Sequence, residues 1–283
     1  MLFGYGWYLT RTVPNTFPVQ KQFTILEGES LKSISTRLEN EGYIHSALLF
    51  RTWASFIGKD KQVHVGGYIF ESPQVLGYIL KKVIAGRPDV PLVTLTVPEG
   101  STTAEIASLV KKVLPELSID IFGEKVSARG ADGRLFPSTY FLLPSTTESR
   151  VVEIMTNTFN QKYREAFSGT AIPFPLTTES EVISLAAILE GEAKTEESMK
   201  IVAGILLKRL VLGMPLQVDV APATYKVKGL PSQAINNPGL MALGAVYNPT
   251  VTDYLFYITG NDGTMHYAKT FTEHKANIKK YLK

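Results

Sequence analysis

The hydrophobic and polar positions along the chain predict short strands and amphipathic helices in two stretches of different character. In the first stretch, apolar residues alternate or recur at helical spacing. The pattern there predicts a strand, two helices, a second strand and an appended helix at residues 23–26, from 31, 46–57, 68–70 and 72–86. Ser30 is the expected N-cap of the first helix, and Gly58 ends the second.

The second stretch begins with another strand and ends in a hairpin. Its predicted elements are a strand at 93–97, an apolar segment at 135–140, a helix at 151–167, helices that begin after the capping residues Thr178 and Thr195, a hairpin of residues 254–259 and 264–269, and a helix from 272. Residues 182–189 are apolar on nearly every side, which predicts a buried helix.

Residues 1–10 are apolar and aromatic, with Trp7 and Tyr8 shortly before Arg11. A spanning helix needs about 20 apolar residues, so this segment cannot cross a bilayer alone. Its composition is typical of a membrane interface and predicts the end of an anchor. A disordered start, or a strand packed on the body of the protein, is the alternative.

Composition and charge exclude several classes of function. Apolar residues make up 45% and charged residues 19%, which excludes a disordered chain. The net charge is +3, from 29 basic and 26 acidic residues without a basic block, so no nucleic-acid partner is expected. With no cysteine, no glycine-rich phosphate loop and no closely paired histidines, neither a cofactor nor a metal is expected.

Glu190 is the residue whose position suggests chemistry. It follows the apolar run and shares a helical stripe with Ile183, Ala186 and Ala187. Burial raises the pKa of a carboxyl, and a carboxyl that keeps its proton near neutral pH can act as a general acid on a glycosidic oxygen. The alternative is that Glu190 has reached solvent at the end of the helix.

Several stretches occur together in an order typical of one family. They are LEGESL (26–31), GGY (66–68), VPEG (97–100), LFPSTY (135–140), AAILEGE (186–192), RL with GMPLQVD (209–219), GLP (229–231), INNPG (235–239) and YLF through a histidine (254–266). From Phe23 onward the chain therefore resembles the endolytic murein transglycosylases, the YceG-like family.

The resemblance implies an α+β fold with one or more small LysM-like modules followed by a mixed α/β catalytic domain. It implies a membrane-proximal stub and linker at residues 1–22, a LysM-like module at 23–92, a connecting α/β module at 93–170 and a catalytic domain at 171–283.

The implied activity is lytic transglycosylation, the cleavage of peptidoglycan glycan strands at internal bonds without water. By the resemblance Glu190 is the single catalytic acid and base, and Gln217, Asp219, Asn237 and His266 lie along the glycan cleft. One acid/base residue distinguishes this reaction from that of glycosidases, which use two carboxylates. Glu192, about 200° further round the helix, is expected to contribute much less.

The resemblance also implies partners and a location. The glycan strand is the substrate, cell-wall synthesis proteins are partners, and the N-terminus attaches the protein to the cell (inner) membrane with its catalytic part outside the cytoplasm. The segment between Asp219 and Gly229 is shorter than is usual in the family, and Ser232-Gln233 replaces a proline and a glycine. The shortened cleft and the LysM-like module leave one alternative, a peptidoglycan-binding or scaffolding protein with little or no activity. A hydrolase that leaves reducing ends is a second, separate alternative.

Overall fold

The computed structural model of the protein describes residues 10–26, 28–58, 63–84, 86 and 88–282. The chain divides into two compact units. The first is formed by the chain up to Thr94 with Tyr140–Ser145, and the second by Leu95–Thr139 with Thr146–Lys283. The four-part division expected from the sequence stays a prediction, and most of the predicted membrane-proximal segment (1–9) lies outside the described residues.

The first unit has the predicted order of strand, helix, helix, strand and helix. Its elements are β1 Gln22–Ile25, α1 Leu31–Asn40, α2 Ala47–Phe56, β2 Gly66–Ile69 and α3 Leu76–Ile84. β1 and β2 pair antiparallel, with Phe23 opposite Tyr68. Phe17, from the segment expected to be a linker, is buried in this core and makes edge contacts with Tyr43 and Phe70.

A second two-stranded sheet joins β3 Val93–Thr96 to β4 Thr139–Leu142, and a third joins β5 to β6 in the second unit. The further elements are α4 Thr103–Val113, α5 Ile119–Arg129, α6 Glu148–Phe167, α7 Glu179–Glu192, α8 Glu196–Val211, a 3-10 turn Pro222–Tyr225, α9 Leu240–Tyr247, β5 Phe256–Thr259, β6 Met265–Ala268 and α10 Phe271–Tyr281. The protein is therefore a mixed α+β fold with small sheets.

Helix α7 is the centre of the second unit. Every residue from Val182 to Leu189 is buried, which confirms the prediction of a helix apolar on all sides. Helices α8 and α9 pack on it. Its first turn is closed by the predicted capping box, in which Thr178 and Glu181 satisfy each other's backbone N–H groups. The start of α7 is thereby capped, and its middle is enclosed by α8 and α9.

A close backbone approach fixes α8 against the loop that follows α9. The Thr250 N–H donates to the Lys200 carbonyl at 2.9 Å, and a Cβ atom at Gly204 would overlap the carbonyl oxygen of Thr250. Glycine is therefore required inside this helix for a steric reason. Across the described ranges, no helix combines the length and apolar content needed to cross a bilayer.

Candidate active site

The end of α7 presents two carboxyl groups in different directions. Glu190 and Glu192 are two residues apart, which places them about 200° apart around the helix axis. Both are partly buried, and both lie in the last turn of α7. The negative end of the helix dipole disfavours a carboxylate there.

Glu190 packs against the segments that precede α4 and α9. Its Oε2 atom accepts a hydrogen bond from the Gly239 N–H at 2.9 Å. Burial raises the pKa of Glu190 and the charge of Glu99 raises it further, while the Gly239 N–H lowers it. A Cβ at Gly100 would lie 3.2 Å from the Glu190 side chain. The carboxyl is thus held by the backbone of Gly239, and the Glu99 carboxyl lies close to the same residue.

Asn237 lies two residues before this contact and is buried, with 1% of its surface exposed. Its Oδ1 accepts from the Leu135 N–H at 2.8 Å, and its Nδ2 donates to the Ser101 carbonyl at 3.0 Å. Its side-chain amide therefore ties together segments of the second unit that are distant in sequence. In this arrangement Asn237 is a structural residue below the surface.

Glu192 lies on the other side of α7. Its Oε2 accepts from the Tyr257 hydroxyl at 3.0 Å, and its Oε1 accepts from the Val220 N–H at 3.3 Å. Burial is the main cause that raises the pKa of Glu192, and the charge of Asp219 adds to it. The hydrogen bonds from Val220 and Tyr257 act in the opposite direction.

A cleft of about 490 Å³ opens beside Glu192, and we call it the first cleft. It is lined by Glu192, Arg209, Gln217, Asp219, Tyr225, Phe256, Tyr257, Ile258, Thr259, Phe271, His274, Ile278 and Leu282. The structure therefore brings the predicted residues Gln217 and Asp219 to Glu192. A cleft with aromatic walls and a few fixed polar groups has the character of a small-molecule or saccharide site.

The shortened segment after Asp219 shapes the rim of the first cleft. It folds as the 3-10 turn, in which the buried Thr224 hydroxyl accepts from the Val218 N–H at 3.1 Å. The turn places the Tyr225 hydroxyl 2.6 Å from Asp219 Oδ1, to which it donates. This hydrogen bond is the main cause that raises the pKa of Tyr225 to about 12. Gln217 is exposed beside it, with a left-handed φ of 49°.

Arg209 lies in the wall of the first cleft, where its guanidinium donates hydrogen bonds to backbone carbonyl oxygens. It is buried, its Nε donates to the Leu255 carbonyl at 2.7 Å, and its Nη1 donates to the Leu216 carbonyl at 2.6 Å. Burial lowers its pKa. The guanidinium therefore fixes the walls of the cleft rather than offering a free positive charge to a ligand.

His266 lies away from these contacts. It is on β6 opposite Ile258, its Nε2 is 3.0 Å from the Thr264 hydroxyl, and its ring stacks on Tyr281 with ring centres 3.5 Å apart. It does not line the first cleft. The predicted set is thus divided: Gln217 and Asp219 line the first cleft with Glu192, Asn237 is close to the Glu190 contact in sequence, and His266 stacks on α10.

The sequence analysis missed Tyr257, Tyr225 and Arg209, and it gave Glu192 a minor part. The strand FYIT has no alternation of apolar and polar residues or of buried and exposed ones, so the sequence held no signal that singled out Tyr257. Within the described ranges, no group of three or more histidine, aspartate and glutamate residues is placed to hold a metal ion.

Comparisons with known proteins agree on one family. The sequence profile of the YceG-like family matches residues 23–222 and 223–280. An endolytic murein transglycosylase of Streptococcus pneumoniae is 24% identical over 99% of this chain, which spans 62% of that relative's length. An endolytic murein transglycosylase of Bacillus subtilis is 23% identical, with 99% of this chain and 90% of the relative covered.

A solved structure has the same fold. The crystal structure of a YceG-like protein of Listeria monocytogenes superposes with a TM-score of 0.55 at 23% identity, and the match covers 91% of this chain and 99% of that one.

Proposed function

Because the chain belongs to the YceG-like family, we propose that it is a lytic transglycosylase that cleaves the glycan strands of peptidoglycan at internal bonds. The names of the pneumococcal and Bacillus relatives support the reaction class and the substrate. The first cleft supports it independently, since it joins a half-buried carboxyl to aromatic and amide groups suited to a sugar.

We propose Glu192 as the acid and base of the reaction. The observation that carries this proposal is its position in the first cleft with Gln217 and Asp219, with a pKa raised by burial. The role that the resemblance assigns to Glu190 stays a prediction. Glu190 faces Glu99 and the Gly239 N–H, and it does not line the first cleft.

The proposed mechanism needs one proton to move twice. The protonated carboxyl of Glu192 donates its proton to the glycosidic oxygen as the bond to the anomeric carbon of the muramoyl sugar breaks. The resulting carboxylate then accepts the proton of the 6-hydroxyl of the same sugar, whose oxygen attacks the anomeric carbon. The products are a free 4-hydroxyl and a 1,6-anhydro ring, and Glu192 is protonated again.

Asp219 favours a second candidate, a hydrolase. Its charge raises the pKa of Glu192, so two carboxyl groups act on each other in the first cleft. Paired carboxylates are the arrangement of ordinary glycosidases, in which water attacks the anomeric carbon. In the transglycosylase, by contrast, Asp219 would serve to orient the sugar and to raise the pKa of Glu192.

Product analysis separates these possibilities. Purified protein is incubated with peptidoglycan, and the masses of the soluble products are measured by mass spectrometry. Anhydro ends support the transglycosylase, and ends heavier by one water support the hydrolase. Binding without any release supports the peptidoglycan-binding or scaffolding alternative and would overturn the proposed enzyme.

We also propose that the first unit is a LysM-like module that binds glycan. We propose that the N-terminus attaches the protein to the cell membrane, with the second unit outside the cytoplasm and with cell-wall synthesis proteins as partners. The resemblance of residues 26–31 and 66–68 supports the module, and the aromatic residues Trp7 and Tyr8 support the attachment. Recovery of the native protein wholly in the cytoplasmic fraction would contradict the location.

A further inference from the structure

A second cleft of about 620 Å³ adjoins the first one at Glu192. Glu192 and Thr259 line both clefts. The second cleft runs from the corner between α7 and α8, with Lys194 and Glu197, to the β5–β6 hairpin. A ligand bound at Glu192 therefore has space on two sides.

The hairpin wall of the second cleft is set by strand pairing. Thr259 is opposite Met265, and Tyr257 is opposite Tyr267, so these side chains share one face of the hairpin. Met265 and Tyr267 line the second cleft, while Tyr257 reaches Glu192 from the same face. The wall of the second cleft thus continues directly to the proposed acid.

The two clefts differ in their charged groups. In the first cleft, Arg209 donates to backbone carbonyls and Asp219 accepts from Tyr225. In the second, Lys194 and Glu197 are exposed, and neither has an ion pair or side-chain hydrogen bond with another residue that the structure describes. The pKa of Tyr267 is raised mainly by burial and further by the charge of Glu197, which lines the same cleft.

This difference corresponds to the two parts of the substrate. A glycan strand whose lactyl groups are amide-linked to peptides carries no charge on its sugars, whereas the stem peptides carry carboxylates and an amino group. The muramoyl sugar that is cleaved must lie with its anomeric carbon at Glu192, and its peptide branches from the 3-oxygen of that same sugar. The peptide therefore enters the space next to Glu192.

We propose that the second cleft binds the stem peptide of the muramoyl residue being cleaved, with Lys194 facing a carboxylate and Glu197 facing an amino group. This inference rests on the proposed function. It makes the protein selective for strands that still carry peptides, and it makes the selectivity sensitive to salt, because exposed charges are screened at high ionic strength.

The experiment compares two substrates and matched variants. Peptide-bearing strands and the same strands stripped by an N-acetylmuramoyl amidase are offered to the full chain, to the double variant Lys194→Met/Glu197→Gln, and to Lys125→Met/Glu196→Gln. Glu196 lies in the same first turn of α8 as Glu197, and Lys125 is exposed on α5, so the control removes the same charges outside both clefts.

We expect the first double variant to lose about three- to tenfold in kcat/KM on peptide-bearing strands, the size of two exposed ion pairs. Its kcat/KM on stripped strands should stay within about twofold of the parent, and the control should match the parent on both substrates. Equal losses on both substrates would show that the second cleft holds the sugar chain itself. No loss on either would show that it does not bind the peptide. Either result overturns the inference.

A binding measurement keeps the inference testable if the chain does not cleave at all. Surface plasmon resonance on immobilised strands of each kind needs no turnover. If the parent cleaves neither substrate, the proposed function fails. The inference then stands only if peptide-bearing strands bind more tightly than stripped strands and the first double variant removes that difference.

Discussion

Replacing Glu192 by glutamine, beside the same replacement of Glu190, tests which carboxyl acts as the acid. Glutamine keeps the size of the side chain and removes the transferable proton. Glu192→Gln should lose nearly all cleavage, because this carboxyl lines the first cleft. Glu190→Gln should retain most of it, because Glu190 contacts the Gly239 N–H outside that cleft.

The expected loss of cleavage rate follows from the proton transfer that glutamine cannot perform. General acid–base catalysis contributes about 10²–10⁴-fold to a rate, which corresponds to about 2.7–5.4 kcal/mol of activation free energy. Glu192→Gln removes both the donation and the acceptance of the proton, so a loss near the upper end of that range is expected. Glu190→Gln should change the rate by less than about twofold, well below the range expected for loss of the acid.

The fold must survive both changes for this comparison to be valid. A carboxyl whose folded-state pKa is raised contributes most to stability below its ordinary pKa, and this contribution is lost as the pH rises through the raised value. Burial raises the pKa of both glutamates. Relative to the parent, each glutamine variant should therefore be more stable at pH 7 than at pH 4, which thermal melting at the two pH values measures.

The assay counts anhydro ends released from purified peptidoglycan, with Glu196→Gln as an exposed control. Loss in Glu190→Gln with retention in Glu192→Gln would show that Glu190 is the acid, as the resemblance implies. Retention in both variants would refute the transglycosylase proposal for this site. Equal loss in both would refute the claim that only one carboxyl acts at the sugar.

Four further substitutions test the local surroundings of particular residues. Tyr257→Phe removes a hydrogen bond that stabilises the carboxylate of Glu192, so the alkaline limb of the pH profile of cleavage should move to higher pH; an unmoved limb would contradict that contact. Asn237→Ala should lower the free energy of unfolding in urea by about 1–3 kcal/mol for each buried backbone group left unpaired. Gly204→Ala should destabilise the protein, because the added Cβ overlaps the Thr250 carbonyl oxygen. Gly244→Ala, with open space around it in α9, should stabilise the protein by up to about 1 kcal/mol. Thermal melts of the two variants measure both effects.

The sequence predicted the central helix because α7 has an unusually clear pattern. An apolar run longer than two turns, preceded by Thr178 and Glu181, leaves few alternatives to a capped and buried helix. The sequence analysis did not predict α5 or α9. Helix α5 buries only Phe122 and Val126, while α9 is short and apolar nearly throughout, so neither has a strong helical period.

The site was harder to predict than the fold because burial at a helix end depends on what packs there. Val220 and Tyr257, which hold Glu192, are 28 and 65 residues away along the chain. Helical periodicity places the two glutamates on opposite sides of α7, but it contains no information on which side becomes a cleft. The segments that decide this belong to the short turn after Asp219 and to the β5–β6 hairpin.

In the proposed mechanism one carboxyl serves as acid and then as base, and the surroundings of Glu192 support both roles. Burial, the negative end of α7 and the charge of Asp219 favour its protonated form, which the first step requires. The Val220 N–H and the Tyr257 hydroxyl favour its carboxylate, which the second step requires. These influences act in opposite directions, and burial, the largest of them, leaves the pKa of Glu192 above its ordinary value. Glu190 is also partly buried at this helix end, but only one donor, the Gly239 N–H, favours its carboxylate, whereas Glu192 has two, so the proposed cycle of protonation is better supported at Glu192.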